Sequence, residues 1–144
     1  MPKASKTLLG FYRDQTYRVP LKTVWEAATQ AEHLNGFFTS AAKGDICPDL
    51  EPVTWRWGKL CAEIDVVSCE PHKAFEFRWT APGQKDRTQV RMEFSRAKGR
   101  TVVKVFEAGW KETHVDGALE NCGGWSEWLY GPKAYVQHGI DLRK

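Results

Sequence analysis

Apolar and charged side chains alternate in one short segment after another between residues 53 and 105. A period of two places successive residues on opposite faces of a β-strand. Turn-forming pairs such as Gly58-Lys59 and Lys98-Gly99 separate the segments. The pattern predicts an antiparallel meander with one apolar and one charged face. The positions expected on the apolar face are Val53, Trp55, Trp57, Leu60, Ala62, Ile64, Val66, Phe75, Phe77, Trp79, Val90, Met92, Phe94, Val103 and Val105.

A sheet with one apolar face has to bury that face against another element. Residues 117–143 form the only long segment left to cover it, and their apolar residues recur at helical spacing. Gly131-Pro132 interrupts this pattern, so we predict a bend that lets the helix follow the sheet or open as a gate. The apolar face of the helix consists of Trp125, Trp128, Leu129, Pro132, Tyr135 and Val136, with Cys122 and Ile140 at its ends.

The first third of the chain predicts a strand followed by two short helices. Residues 7–19 alternate like a strand, and Pro20 suits a helix start because its missing N–H would have no partner there. The helical pattern breaks near Thr29-Gln30 and resumes as a short second helix. Residues 43–52 are rich in turn formers and predict a loop.

Length and charge limit the possible functions. A chain of 144 residues is expected to form one domain, residues 1–144. The net charge of +3 comes from scattered basic residues, which gives no basis for nucleic-acid binding. No window approaches 18 apolar residues, and the first residues lack an apolar stretch of secretory length. We therefore expect a cytoplasmic protein without membrane insertion.

Metal and nucleophile chemistry find no support in the sequence. Four cysteines, Cys47, Cys61, Cys69 and Cys122, form no CxxC pair, and no histidine lies at metal-ligand spacing from them. We expect reduced, mostly buried cysteines and neither a metal nor another cofactor. No serine or cysteine has the local setting of an activated nucleophile, so no catalytic residue is assigned.

The aromatic side chains are the strongest indication of a binding site. Seven tryptophans are more than a core of this size requires, so the inward aromatic series suits a cavity wall as well as a core. Arg13, Tyr17, Tyr130 and Tyr135 are candidates for polar contacts in an apolar cavity.

Glu107 is the one acidic residue with the inward parity of its strand, following Val103 and Val105. A carboxylate in an apolar interior can act as an acid or a base. The alternative is a partly hydrated carboxylate at the strand end, paired with arginine or lysine, which is the more common state of such a residue.

Four stretches together resemble a known family. Their order and spacing are similar to the helix-grip fold of the START-like (SRPBCC) superfamily, in particular the group named after the activator of the heat-shock protein 90 ATPase. The resemblance implies a curved antiparallel sheet wrapped around a long C-terminal helix, with two short helices at one end. The stretches are YRVPLKTVWEAATQAEHLNGFF (Tyr17–Phe38), VTWRWGKLCAEIDVVSCEPHKAFEFRWT (Val53–Thr80), RTVVKVFEAGW (Arg100–Trp110) and GGWSEWLYGPKAYVQHG (Gly123–Gly139).

The resemblance implies binding of a small hydrophobic or amphipathic ligand between the sheet and the C-terminal helix. Two alternatives stay open: a cyclase- or dehydratase-like enzyme on a polyketide-like substrate with Glu107 as general base, and an activator of a chaperone ATPase in a stress response. We favour a binding protein over an enzyme, as monomer or homodimer. The expected lining residues are Trp25, Phe37, Trp55, Trp57, Phe77, Trp79, Met92, Glu107, Trp125, Trp128 and Tyr135.

The chain departs from the family pattern at three places: Gly36-Phe37-Phe38, Glu107 and Gly131-Pro132. All three are expected to face the cavity. A ligand is therefore not carried over from any relative.

Overall fold

The computed structural model describes residues 8–144. The predicted first strand began at Thr7, which lies outside the described residues. A 3-10 turn, Glu112–His114, leads into the last helix. The strands are β1 (Leu8–Tyr17), β2 (Ala41–Lys43), β3 (Val53–Trp57), β4 (Leu60–Glu70), β5 (Ala74–Thr80), β6 (Arg87–Ala97) and β7 (Arg100–Lys111), and the helices are α1 (Leu21–Thr29), α2 (Ala31–Leu34) and α3 (Val115–His138).

The strands form one antiparallel sheet in the order β1-β7-β6-β5-β4-β3-β2. Strands β2 to β7 run as a meander, and the first strand of the chain, β1, pairs with the last one, β7. The inward residues of β5 and β6, Phe75, Phe77, Val90 and Met92, are fully buried against the core that α3 covers. The predicted helix-grip fold of the α+β class is confirmed.

Strand β2 was missed by the sequence analysis. It has three residues and pairs with β3, where Ala42 lies opposite Trp55. Three residues are too few to establish a period of two, and turn formers follow directly. Edge strands of this length are also common because they offer little backbone for pairing with another chain.

An irregularity in β7 decides which residues after Glu107 point inward. The register between β1 and β7 shifts between Leu9 and Gly10, so that Gly10 lies opposite Ala108 and Leu9 opposite Trp110. Gly109 is the additional residue, with φ +113°, which disfavours other residues, and a Cβ atom here would lie a tight 3.3 Å from the Arg87 carbonyl oxygen. Consequently Glu107 and Trp110 are both buried although they are three residues apart.

Helix α3 begins two residues before the predicted segment and ends earlier, at His138. Gly139 takes the left-handed conformation (φ 65°), and the N–H groups of Gly139 and Ile140 donate to the carbonyls of Tyr135 and Ala134. The expectation that Ile140 extends the apolar face was wrong, because the helix has ended and its side chain is 51% exposed. The helix runs unbroken through Pro132, and the bend there stays a prediction.

The structure gives Gly131 a packing role. A Cβ atom at this position would lie 2.9 Å from Cδ2 of Phe37, so only glycine lets this ring approach α3 so closely. Gly36, in the turn, allows a similarly close approach from the other side, because a Cβ atom placed there would lie 2.6 Å from Cε1 of Tyr135 on α3. Two of the three departures from the family pattern are therefore in contact with each other.

Tyr17 supports the helix next to its proline. The buried hydroxyl of Tyr17 donates to the carbonyl of Leu129 at 2.7 Å. Burial raises the pKa of this phenol, so the hydroxyl keeps its proton and remains a donor. Pro132 has no N–H to donate within the helix. The hydroxyl of Tyr17, on β1, supplies a hydrogen-bond donor to the turn of α3 that precedes Pro132.

The cysteines are free thiols, but the expectation that most are buried was wrong. Cys61 is exposed, and Cys47, Cys69 and Cys122 are intermediate. Larger side chains, many of them aromatic, fill the inward positions of the core, and the cysteines therefore lie nearer the surface.

Candidate functional site

A cavity of about 240 Å³ lies between α3 and the ends of β3, β4 and β5. We call it the inner cavity. Leu60 stands at its mouth, where the side chain is 58% exposed. Apart from backbone groups the wall is almost entirely hydrocarbon and indole, which suits an apolar ligand. The lining residues are Phe38, Trp57, Leu60, Trp79, Ala81, Pro82, Asn121, Gly124, Trp125 and Trp128.

A second cavity, of about 580 Å³, adjoins the first and is called the outer cavity. It lies between α3, the turn after α2 and the C-terminal tail. The two cavities share Phe38, Trp57, Gly124 and Trp128. The outer cavity is further lined by Phe37, Glu127, Tyr130, Gly131, Leu142 and Arg143. The shared residues make the two cavities neighbouring compartments of one site.

Glu107 lies fully buried behind the wall of the inner cavity. Trp79 Nε1 donates to Oε2 at 2.9 Å, and the Thr88 hydroxyl donates to the same oxygen. Asn121 Nδ2 and Trp125 Nε1 donate to Oε1 at 2.8 and 2.9 Å. The expectation of a partly hydrated carboxylate paired with arginine or lysine was wrong. Four neutral donors take the place of a positive partner, and hydrogen bonds to a charged acceptor are about twice as strong as neutral ones.

The position of Glu107 explains how four donors converge on it. Glu107 on β7 lies next to Val90 of β6 and Phe11 of β1 in the sheet register. Thr88 and Trp79 are a cross-strand pair of β6 and β5, whereas Asn121 and Trp125 lie one turn apart on α3. The carboxylate therefore joins three elements of the fold, and it fixes three residues of the cavity wall: Trp79, Asn121 and Trp125.

The other tryptophans of this region are bound differently. The indole N–H groups of Trp55 and Trp128 are buried, and no described residue accepts a hydrogen bond from either. Their contacts are aromatic: the ring of Phe38 lies 5.3 Å from that of Trp55 and 6.2 Å from that of Trp128, both near perpendicular. Aromatic packing therefore holds Trp128 in the wall and Trp55 in the core beneath it.

The structure places the predicted lining residues in three groups. Trp57, Trp79, Trp125 and Trp128 line the inner cavity, and Phe37 lines the outer one. Trp55, Phe77 and Met92 are fully buried in the core beneath it, and Glu107 lies behind the wall. Trp25 lies at the other end of the molecule, where its ring packs against those of Phe75 and Phe94, and Tyr135 is half-buried beside His33.

Phe38, which was expected to face the cavity, lines it, and five further lining residues were not predicted: Leu60, Ala81, Pro82, Asn121 and Gly124. Asn121 lies four residues before Trp125 on the helix face already singled out, so its spacing was an available signal. Gly124 gave no such signal, because a glycine has no pattern that assigns it to a cavity.

The candidate polar residues have their own partners. Arg13 Nε donates to the Ser126 hydroxyl at 2.9 Å, outside both cavities. The Tyr135 hydroxyl lies 2.9 Å from Nδ1 of His33. Tyr130 stands 56% exposed at the edge of the outer cavity. None of these side chains reaches into the inner cavity.

The C-terminal tail is fastened across the outer cavity by Arg143. Its guanidinium donates to the carbonyls of Asn35 and Thr39, which flank the turn that carries Phe37 and Phe38. Asp141 accepts from the same guanidinium, and these hydrogen bonds lower the pKa of Asp141 to about 2. The tail thus closes one side of the site by an exposed, charge-dependent contact.

A second buried acid fastens the start of α3. Asp86 accepts from the Lys111 N–H at 2.9 Å and lies 2.9 Å from Nδ1 of His114. Burial opposes its charge, but the bonds from Lys111 and His114 outweigh it and lower the pKa of Asp86. Neither residue lines the two cavities, and the pair has a structural role in the 3-10 turn.

Metal and membrane features are absent from residues 8–144, the part of the chain described. No three histidine, cysteine, aspartate or glutamate side chains there are grouped so that they could hold a metal ion. No helix in the same range combines the length and apolarity required to cross a bilayer.

Comparison with known proteins bears on this architecture. Residues 18–137 match the family model described as Activator of Hsp90 ATPase homolog 1-like protein. No match is found among the curated proteins.

Solved structures of similar proteins share the fold. A Staphylococcus saprophyticus protein is 24% identical, with a TM-score of 0.78 over 92% of this chain and 95% of that one. DynU16, a putative protein in the dynemicin biosynthetic locus, is 18% identical with a TM-score of 0.79, over 90% of this chain and 48% of that one. The Aha1 dimer from Colwellia psychrerythraea is 13% identical with a TM-score of 0.74, over 91% and 98% of the chains.

Proposed function

This chain belongs to the Activator of Hsp90 ATPase homolog 1-like family, and we propose that it binds a small, mainly apolar molecule in the inner cavity. The observation that carries the proposal is the wall itself. Five aromatic residues and three aliphatic ones surround an opening into the core, and a single lining side chain, that of Asn121, carries an amide, hydroxyl or charge. Ligand sites are commonly of this kind, apolar with a few placed polar groups.

The volume supports a ligand of modest size. The inner cavity, at about 240 Å³, is slightly smaller than most ligand sites, which span about 300–1,000 Å³. The adjoining outer cavity gives a larger molecule room to extend past Phe38 and Trp57. We propose that the whole chain acts as one domain around this site. One similar structure comes from a biosynthetic locus, so small organic molecules are the first class to test.

Enzymatic use of Glu107 is less well supported. A general base needs a lone pair within reach of the substrate proton. Both carboxylate oxygens of Glu107 already accept two hydrogen bonds, and the residue lies behind Trp79 and Trp125 rather than on the cavity surface. This arrangement supports a positioning role. Glu107 holds the wall in place while the wall contacts the ligand.

The chaperone hypothesis rests on the family name. An ATPase assay of the chaperone with and without this protein tests it directly. Unchanged ATPase activity at saturating protein would dispose of it, and the ligand proposal does not depend on the result.

A pair of glycines on α3 allows a direct test of ligand binding. A Cβ atom at either Gly123 or Gly124 would meet no atom of residues 8–144 within 4 Å, so both positions accept a larger side chain. Gly124 lines both cavities, whereas Gly123 lines neither. Gly124→Leu should therefore fill the site, and Gly123→Leu is its matched control with the same gain in helix propensity.

The measurement is retention and titration of small molecules. We expect native mass spectrometry of protein purified from its own host to show a bound molecule in the wild type and in Gly123→Leu, and to lose it in Gly124→Leu. A calorimetric titration with 2-naphthol should likewise show tight binding by the wild type and Gly123→Leu and much weaker binding by Gly124→Leu. Equal binding by both variants would place the ligand elsewhere and overturn the proposal.

A further inference from the structure

Among the described residues that line the inner cavity, Asn121 is the one whose side chain carries an amide, hydroxyl or charge. Its neighbours Trp79 and Trp125 have indole N–H groups, but both are donated to Glu107 and cannot serve a ligand. The N–H of Trp128 is buried, with less than 1 Å² accessible. The side-chain polar groups left for a bound molecule are therefore the Asn121 amide and the indole N–H of Trp57, from which no described residue accepts a hydrogen bond.

Glu107 decides which end of the Asn121 amide is available. Oε1 of Glu107 accepts a hydrogen bond from the Trp125 N–H, and the Asn121 NH₂ group is the second donor to the same oxygen, with Nδ2 at 2.8 Å. The usual ambiguity between the nitrogen and oxygen of an amide is resolved by this partner. The remaining polar atom of Asn121 is Oδ1, to which no described residue donates a hydrogen bond. It is an acceptor at the edge of an aromatic cavity.

We infer that the inner cavity selects a neutral, aromatic molecule that carries a hydroxyl or N–H group, which donates a hydrogen bond to Asn121 Oδ1. The inference rests on the proposed function and adds the ligand class. The aromatic character follows from the wall, where the rings of Trp79, Trp125 and Trp128 adjoin at centroid distances of 5.8 Å and interplanar angles of 45° and 67°, and so present both faces and edges to a ligand ring. The fixed amide favours a ligand that carries a hydrogen-bond donor, because such a group can donate to Oδ1 whereas a group that only accepts cannot.

The same geometry disfavours anions. A ligand carboxylate near Asn121 would meet an acceptor oxygen, with the buried Glu107 carboxylate directly behind it. Arg143 lines only the outer cavity and is already engaged with Asp141 and with backbone carbonyls. Fatty acids and other apolar anions therefore lack a positive partner in the inner cavity.

A series of three naphthalenes tests the inference on the wild-type protein. 2-Naphthol carries a donor, 2-methoxynaphthalene carries only an acceptor, and 2-naphthoate is an anion with the same rings. We expect 2-naphthol to bind about 5–10-fold more tightly than 2-methoxynaphthalene, the value of one ordinary hydrogen bond. 2-Naphthoate should bind most weakly. Dissociation constants are measured by calorimetry at constant pH and salt.

Two variants locate the effect. Asn121→Leu removes the acceptor and keeps an apolar wall of similar size, so the preference for 2-naphthol should disappear while 2-methoxynaphthalene still binds. Glu107→Gln frees the Asn121 amide to turn and should reduce the same preference, which identifies Glu107 as a positioning residue. Proton NMR of the indole region shows in each case that the fold is retained.

The outcomes separate the inference from the proposed function. Equal affinity for 2-naphthol and 2-methoxynaphthalene, or tighter binding of 2-naphthoate, overturns the donor preference while leaving the cavity a binding site. A preference that survives in Asn121→Leu also overturns it, since another group must then hold the donor. Failure of all three compounds to bind the wild type counts against the proposed function itself.

Discussion

Four tryptophans in and beneath the wall of the inner cavity are held in two different ways. Trp79 and Trp125 donate their N–H groups to Glu107, at 2.9 Å each. Trp55 and Trp128, on the side of Phe38, have buried N–H groups without an acceptor among the described residues. All four side chains are similar in size and nearly fully buried, so the difference lies in polar contacts alone.

The difference separates a fixed wall from an adaptable one. A hydrogen bond to a carboxylate restricts both the distance and the direction of an indole ring. Aromatic packing tolerates small shifts of the rings, and the turn that carries Phe37 and Phe38 is tied down by the exposed Arg143. We expect the side of Glu107 to define the ligand position and the side of Phe38 to adjust to ligand size.

The largest expected effect comes from removing the charge that organises the fixed wall. Glu107→Gln replaces an oxygen by an NH₂ group, which cannot accept from the two donors facing it. We expect a loss of about 2–4 kcal/mol in the free energy of unfolding, measured by urea titration. The control is Glu63→Gln, an exposed residue of β4 that accepts one hydrogen bond from Thr54. It should change the free energy by less than about 0.5 kcal/mol. Similar losses in both would contradict the organising role of Glu107.

The next effect compares one tryptophan from each side. Trp79→Phe and Trp55→Phe both leave a void in the core. Trp79→Phe also deprives Glu107 of a donor, whereas Trp55→Phe removes an N–H group that had no partner. Trp79→Phe should therefore cost about 1–2 kcal/mol more in unfolding free energy. An equal or larger loss for Trp55→Phe would contradict a stabilising role of the hydrogen bond from Trp79 to Glu107.

A smaller effect, of opposite sign in two variants, tests the packing of the adaptable side. Gly131→Ala places a Cβ atom 2.9 Å from the Phe37 ring, and overpacking costs about 1–3 kcal/mol against a gain of about 1 kcal/mol in helix propensity. Gly123→Ala meets no atom within 4 Å and should stabilise α3 by about 0.5–1 kcal/mol. If thermal unfolding shows both variants to be more stable than the wild type, the Phe37 ring moves away from the added methyl group with little cost in free energy, which contradicts the tight packing.

The smallest effect concerns the tail that closes the outer cavity. The pKa of Asp141 is lowered to about 2 by Arg143, so its contribution to stability is present above its usual value of 3.8 and is lost as pH falls through about 2. The wild type should therefore exceed Asp141→Asn slightly in melting temperature at pH 5, and the difference should vanish towards pH 2. A difference that stays constant between these pH values would show that the contact does not depend on the charge of Asp141.

Much of the fold was predictable because it follows from local periodicity. Alternation over 53–105 predicted strands β3 to β7, and the helical spacing of Trp125, Trp128 and Leu129 predicted α3. The inward direction of Glu107 followed from the same parity. Strand β2 and the end of α3 were not predicted, because three residues carry no period and a helix end depends on the backbone conformation of Gly139.

The sequence by itself determined the sheet, its apolar face, the helix that covers it and the family to which the chain belongs. These depend on which residues neighbour one another along the chain. Only the tertiary structure decided the partners of Glu107, which come from β5, β6 and α3, and the close approach of Gly131 to Phe37. Such contacts join residues far apart in sequence, and their geometry depends on how all the elements pack together.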